Sequence, residues 1–215
     1  MDLNHVIIFS DHHGQEADEL VSFGLTEGSH RIHAGQGTRN RKFYFGNFYL
    51  EIVWVIDEKE IRNELTLPTG LWERSCFRNF GYSPCGLCFT HTAEMDPLFE
   101  GCVKYIPEYI PKGTKFEILT NHDVPDLPWT CRLPDIRNVV GPEEPTEHPA
   151  GLKELTKVRI GIPKPGISNN YTEFIERTSP IEFQTAENHH LILEFDHRKQ
   201  GRTEKFRKLP LTIDY

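Results

Sequence analysis

Two side chains with ligand chemistry stand on apolar, strand-like runs of the chain: His5 in LNHVIIFS (residues 3–10) and Glu51 in FYLEIVWVID (residues 48–57). A carboxylate set between Leu50 and Ile52 cannot be buried alone without a penalty of several kcal/mol, so it needs water, a partner or a bound group. Side chains alternate along a strand, which puts Leu3, His5, Ile7 and Phe9 on one face and Tyr49, Glu51, Val53 and Val55 on one face of the later strand. If both faces look into one concavity, an imidazole and a carboxylate meet in an apolar bowl and form half of a divalent-metal site suited to Mn, Fe, Co, Ni or Zn. The plainer alternative is that His5 is a hydrogen-bonded core residue and that Glu51 points to water.

A glycine-rich turn before the second of these runs carries Gly35, Gly37, Thr38, Arg39 and Asn40. Thr38, Arg39 and Asn40 offer donors that suit a polar or anionic ligand, although an ordinary hairpin with a solvated Arg has the same composition. Aligning FYLEIVWV with TKFEILTN sets Glu117 opposite Glu51. Cys85 and Cys88 have C-x-x-C spacing but no second pair for zinc, and on a strand their sulfurs face opposite sides. The run at 197–208 reads as a solvated hairpin around Gly201. Walker, GxGxxG, GxSxG and HExxH motifs are absent from the chain, which removes the usual support for nucleotide binding and for serine or zincin hydrolysis.

The elements that must position these residues follow from periodicity. A strand at 3–10, a polar turn from Asp11, a helical stripe at 15–23 and extended stretches at 25–33, 39–45 and 48–57 read as β-α-β-β-β, with Gly46-Asn47 as a tight hairpin turn. A strand at 85–92, an amphipathic stretch at 94–105 and a strand at 115–119 resemble that opening. So do a strand at 155–162, a turn at 163–166, a helix at 170–177 and strands near 181–186, 190–196 and 204–213. The expectation is a single α+β domain of repeated β-α-β-β-β modules at about 1–57, 85–135 and 151–215, joined by surface connectors at 58–84 and 136–150. The modules would form a curved, partly open mixed sheet around a central cavity, with helices outside.

LNHVII at the start, Gly24-Leu25 after the helix, HAGQGTRNRKFYFGNFYLEIVWV, and EHPAGLKELTKVRIGIP at 147–163 together resemble the glyoxalase-like branch of the vicinal oxygen chelate superfamily. The resemblance implies metal ligation by His5 and Glu51, with Glu117 as the matching acid of the second module, and Glu51 as ligand or catalytic base. It also brings His148, in the later His-Pro pair, into the ligand-binding set with Thr38, Arg39 and Asn40. The second-module strand offers no His, and Lys157 occupies the place analogous to His5 in the third repeat. The implied function is a divalent-metal-dependent lyase, isomerase or dioxygenase acting on a small oxygen-chelating molecule. The alternative is a metal-free protein that binds or sequesters a small molecule in the same bowl.

Composition narrows the partners. The chain has 215 residues, a net charge of −8 and no broad basic face, which argues against nucleic acid. Its first residues lack the order of a signal peptide, and no run approaches the ~20 apolar residues of a membrane span, so a soluble, cytoplasmic protein is expected. Five cysteines, an odd number, point to reduced thiols. A small molecule is the expected partner, and the modules leave room for completing a site across a homodimer.

Overall fold

The computed structural model describes residues 2–110, 113–134, 143–163 and 169–215. Strand β1 (Leu3–Phe9) is buried along its whole length. Helix α1 (Ala17–Phe23) follows and ends at Gly24, whose φ of 107° lets its N–H turn back to the last carbonyls. Next come β2 (Ile32–His33), β3 (Thr38–Tyr44) and β4 (Tyr49–Val55), the last two paired antiparallel from Thr38–Val55 to Tyr44–Tyr49. Between β4 and β5 (Cys85–Thr90) lie three short helices, α2 (Glu58–Ile61), α3 (Leu71–Ser75) and α4 (Phe77–Phe80), where the sequence suggests only a connector. Asp57 starts α2 by accepting the N–H groups of Lys59 and Glu60.

Strands β6 (Val103–Tyr105), β7 (Phe116–Leu119) and β8 (Trp129–Leu133) complete an eight-stranded sheet in the order β2-β3-β4-β1-β5-β8-β7-β6. β1 and β5 pair antiparallel at its centre, and each is flanked by a parallel strand, β4 and β8 respectively. Each half is thus a copy of the other in strand order, and the sheet curls into an open half-barrel. The second half departs from expectation: the amphipathic stretch at 94–105 forms a single 3-10 turn (Ala93–Met95) and then β6, not a long helix.

The remaining strands, β9 (Leu155–Ile162), β10 (Ile181–Thr185), β11 (His190–Phe195), β12 (Thr203–Lys205) and β13 (Leu211–Asp214), form a five-stranded sheet in the order β10-β9-β11-β13-β12, with α5 (Asn170–Thr178) after β9. Asn169 and Thr172 cap α5 reciprocally. The expected strand at 204–213 is instead two strands, β12 and β13, which pair antiparallel. An antiparallel central pair, β9 and β11, is again flanked by parallel neighbours, β10 and β13. The expected connector at 136–150 lies outside the described residues over 136–142, and the expected turn at 163–166 does so over 164–166.

The main core joins Val6, Ile8, Leu50, Ile52, Leu87 and Phe89 of the large sheet to α1, α5 and the inner residues of the small sheet. Asn47 stitches the two sheets through its side chain, donating to the Leu155 carbonyl at 2.9 Å and accepting the Leu155 N–H at 3.0 Å. A second apolar cluster, including Ile7, Phe9, Val53, Trp129 and Leu133, lies on the other face of the large sheet. Among the described residues no helix is long and apolar enough to cross a membrane.

Candidate functional site

The inner face of the half-barrel encloses a cavity of about 250 Å3. Alternation on β1 sends His5, Ile7 and Phe9 into it while Val6 and Ile8 enter the main core. Leu3 does not follow its expected face: the β1–β5 register shifts between Leu3 and His5, and Leu3 joins the main core. On β4, Tyr49, Glu51 and Val53 line the cavity.

His5 and Glu51 meet there, with Nε2 3.3 Å from Oε2. His5 Nδ1 donates to Asn4 Oδ1 at 2.8 Å, which fixes the ring orientation and leaves Nε2 facing the carboxylate. Tyr49 stacks on the imidazole at 4.3 Å between ring centres. Burial would raise the Glu51 carboxyl, but the hydrogen bond and charge of His5, with further support from His33 and Asn40, outweigh it and bring the carboxyl down to about 2.

Asn40 is the hub of a buried polar network behind this pair. Its Oδ1 accepts the Arg31 N–H at 2.6 Å, and its Nδ2 donates to Glu51 Oε1 and, at 3.3 Å, to His33 Nε2. His33 Nε2 is then an acceptor, so Nδ1 carries the proton and donates to Thr38 Oγ1 at 2.8 Å. Gln36 donates to the same hydroxyl at 2.7 Å and accepts from Tyr109 at 3.1 Å. Burial lowers His33 to about 4, partly opposed by Glu51. The neutral ring required by the hydrogen bonds is the form this shift favours. Gly37 makes the turn before β3 possible, with φ of 72° and its Cα so close to the Asp57 carbonyl that a Cβ would sit 2.3 Å from it.

The other expected site residues separate. Asn40 faces the cavity and Thr38 supports it from the buried network. Arg39, one residue out of phase, leaves on the opposite face of β3 and lies over Trp54 at 5.9 Å. Glu117 is not opposite Glu51. It sits on β7, whereas the strand equivalent to β4 is β8, and Phe116 beside it takes the inward position. The Glu117 carboxylate instead accepts from Arg132 Nε at 2.6 Å. His148 is also outside the cavity: its Nδ1 accepts the Thr26 N–H at 3.0 Å, its Nε2 donates to the Tyr44 carbonyl at 2.8 Å, and its ring packs on Phe45. It pins the segment after α1 to the end of β3.

What the second half of the sheet contributes is sulfur. Cys88 and Cys131 are direct partners across β5 and β8, both line the cavity, and their sulfurs lie 2.7 Å apart. Burial, with Cys131 beside it, holds the Cys88 thiol well above its ordinary value. Cys85, on the other face of β5, enters the main core, as its spacing from Cys88 implies.

Catalytic metal sites ordinarily use three protein donors and structural ones four. In the cavity, His5 Nε2 and Glu51 Oε2 converge, but no third donor joins them: among the described residues the group of three ligand atoms all within 4.8 Å is Asp11, His12 and Glu16. That group could hold an ion, yet it lies outside the cavity, Asp11 is taken by Arg78, and Glu16 accepts from Ser10 Oγ at 2.6 Å. The bowl's donor set therefore does not fit a tightly held resident ion.

No protein-family model matches the chain, and no curated protein does. Among solved structures, it resembles a hypothetical protein from Staphylococcus aureus at 12% identity, covering 99% of this chain and 98% of that one with a TM-score of 0.58. That likeness is one of fold. A mutant of 4-hydroxymandelate synthase from Streptomyces coelicolor matches at 10% identity over 99% of this chain and 61% of its own, with a TM-score of 0.47, too low to bear on function.

Proposed function

We propose that the chain is a glyoxalase-like protein of the vicinal oxygen chelate type that binds a small molecule in the bowl of its eight-stranded sheet without a resident metal. The carrying observation is the donor set: His5 and Glu51 bond to each other, and the opposite half of the bowl supplies Cys88, Cys131 and Trp129 in place of a second histidine and acid. The pair then joins Arg31, His33, Gln36, Asn40 and Lys42 as the polar part of a cavity whose remaining wall is largely apolar and aromatic, the pattern of small-molecule sites in general.

A metal-dependent lyase, isomerase or dioxygenase is the second reading. In its favour, Asn4 holds His5 Nδ1 and aims Nε2 at the carboxylate, the outer-shell arrangement common to metal-ligating histidines. Elemental analysis decides between the two. The purified chain and a His5→Ala/Glu51→Ala variant are each loaded with Mn, Fe(II), Co, Ni or Zn and desalted. Sub-stoichiometric metal in both is the expected outcome; stoichiometric metal in the parent that the variant loses overturns the metal-free reading in favour of the second.

A further inference from the structure

The charges of the bowl bear on what it holds. Of the described residues that line it, Glu51 is the sole carboxylate, against the two cations Arg31 and Lys42. Glu51 is already engaged, one oxygen facing His5 and the other accepting from Asn40. Lys42 is its direct partner across β3 and β4 but obtains neither oxygen.

The Lys42 ammonium lies over the rings of Tyr44 at 5.2 Å and Tyr49 at 5.8 Å, and makes no hydrogen bond or ion pair among the described residues. The rings hold the cation from one side through their π-faces and leave its three N–H donors unused. Burial holds its pKa below the ordinary lysine value, with Glu51 and Glu144 opposing and Arg31 adding to the effect. The Arg31 guanidinium, nearer solvent, has no side-chain partner among the described residues either. Apolar and aromatic side chains, with Ile7, Val53, Phe116, Trp129 and Leu133 among them, make up another part of the wall.

Resting on the binding reading above, we propose that the bowl's ligand is a small organic anion: a carboxylate or similar oxyanion on an aromatic or otherwise apolar body. The acid group is taken by Lys42 and Arg31, and the body lies against the apolar wall. Three observations meet in this assignment. Neither cation makes an ion pair among the described residues, the one acid of the lining is occupied, and a cavity of about 250 Å3 falls just below the ~300–1,000 Å3 typical of drug-sized ligands. A neutral ligand would leave Lys42 half-buried with its donors unmet, and a cation would meet two like charges.

The test uses three probes with one body and three charges, phenylacetate, phenylacetamide and phenethylammonium, titrated calorimetrically into the full chain. Phenylacetate should bind, the amide about 10-fold or more weaker, and the ammonium weaker still. Lys42→Met should weaken phenylacetate by about 10-fold or more, and Lys42→Arg should keep it within about 3-fold. Thermal melts of both variants establish that they fold. Amide or ammonium binding as tight as the carboxylate, or an indifferent Lys42→Met, overturns the anionic assignment and leaves the bowl as a binding site. Failure of all three probes to bind the folded parent overturns the binding reading itself.

Discussion

Acid should loosen this fold through its buried and half-buried histidines, of which His33 is lowered to about 4 while His148 and His190 are lowered in the same direction by burial. His33 is buried, neutral and hydrogen-bonded on both ring nitrogens, and its pKa drops from 6.5 to about 4. Between those values the unfolded chain binds a proton at this residue and the folded chain does not, so stability rises with pH there and is lost as pH falls from 6.5 toward 4. At about 1.4 kcal/mol per pH unit the loss is about 3 kcal/mol, a large part of the ~5–15 kcal/mol that holds a typical domain. Glu51 at the facing position, with Arg31, Lys42 and His5, sets the local field, and Glu51 opposes the drop. With a urea slope of about 2–3 kcal/mol/M, the His33 contribution moves the unfolding midpoint by about 1 M between pH 7 and pH 4. The assay is urea unfolding at intervals between those pH values for the parent and for His33→Gln, which keeps hydrogen-bonding capacity but cannot charge. The variant's midpoint should be less pH-dependent by about that amount. Equal slopes for the two chains would refute the argument. Glu51, depressed from 4.5 to about 2, adds a second loss of the same sign as pH falls through that lower range.

Other expectations follow from buried groups. Arg74, fully buried, donates to the carbonyls of Ser83, Pro125, Leu127 and Thr120 at 2.7–3.3 Å. Arg74→Met strands these acceptors and should cost more than about 3 kcal/mol, a fall of roughly 6 °C or more in thermal midpoint. His148→Phe should lower stability by about 1–3 kcal/mol through two lost hydrogen bonds, yet leave phenylacetate affinity unchanged, which calorimetry on the folded variant checks. Iodoacetamide at neutral pH should modify the half-buried Cys76 and Cys102 and spare Cys85, Cys88 and Cys131. Mass spectrometry that finds Cys88 labelled as fast as Cys76 would contradict the described burial.

Period-two alternation groups His5 with Ile7 and Phe9 and Glu51 with Tyr49 and Val53, because these lie on long regular strands, but it leaves open which face turns inward and whether the two faces meet. The same rule separates Asn40 from Arg39 once the β3 register is known, but a glycine-rich turn hides where that register begins. Glu117 misled for a different reason: FEIL looks like FYLEI, yet the second equivalent of β4 is WTCRL at β8, which carries no acid. Cys88 and Cys131 are 43 residues apart and become neighbours only through parallel pairing, a contact with no local signal. His33 lies on a strand of two residues, too short for any periodicity to mark, and Lys42 looks solvated until the Tyr44 and Tyr49 rings are seen beneath it. The strands at 155–162, 181–186 and 190–196 were legible in the sequence, but not that they pair into a sheet of their own, because pairing between strands leaves no local signal.

The division of β1 between two apolar clusters has a consequence for how this chain can change over time. From His5 to Phe9 odd positions look into the cavity and even positions at the body of the protein, and the same parity holds on β4 from Tyr49 to Val53. A substitution at Ile7 or Val53 can therefore remodel what is recognised while its immediate neighbours Ile8 and Ile52 go on holding the two sheets together. Selectivity and solidity are written on alternate letters, so one can drift with little toll on the other.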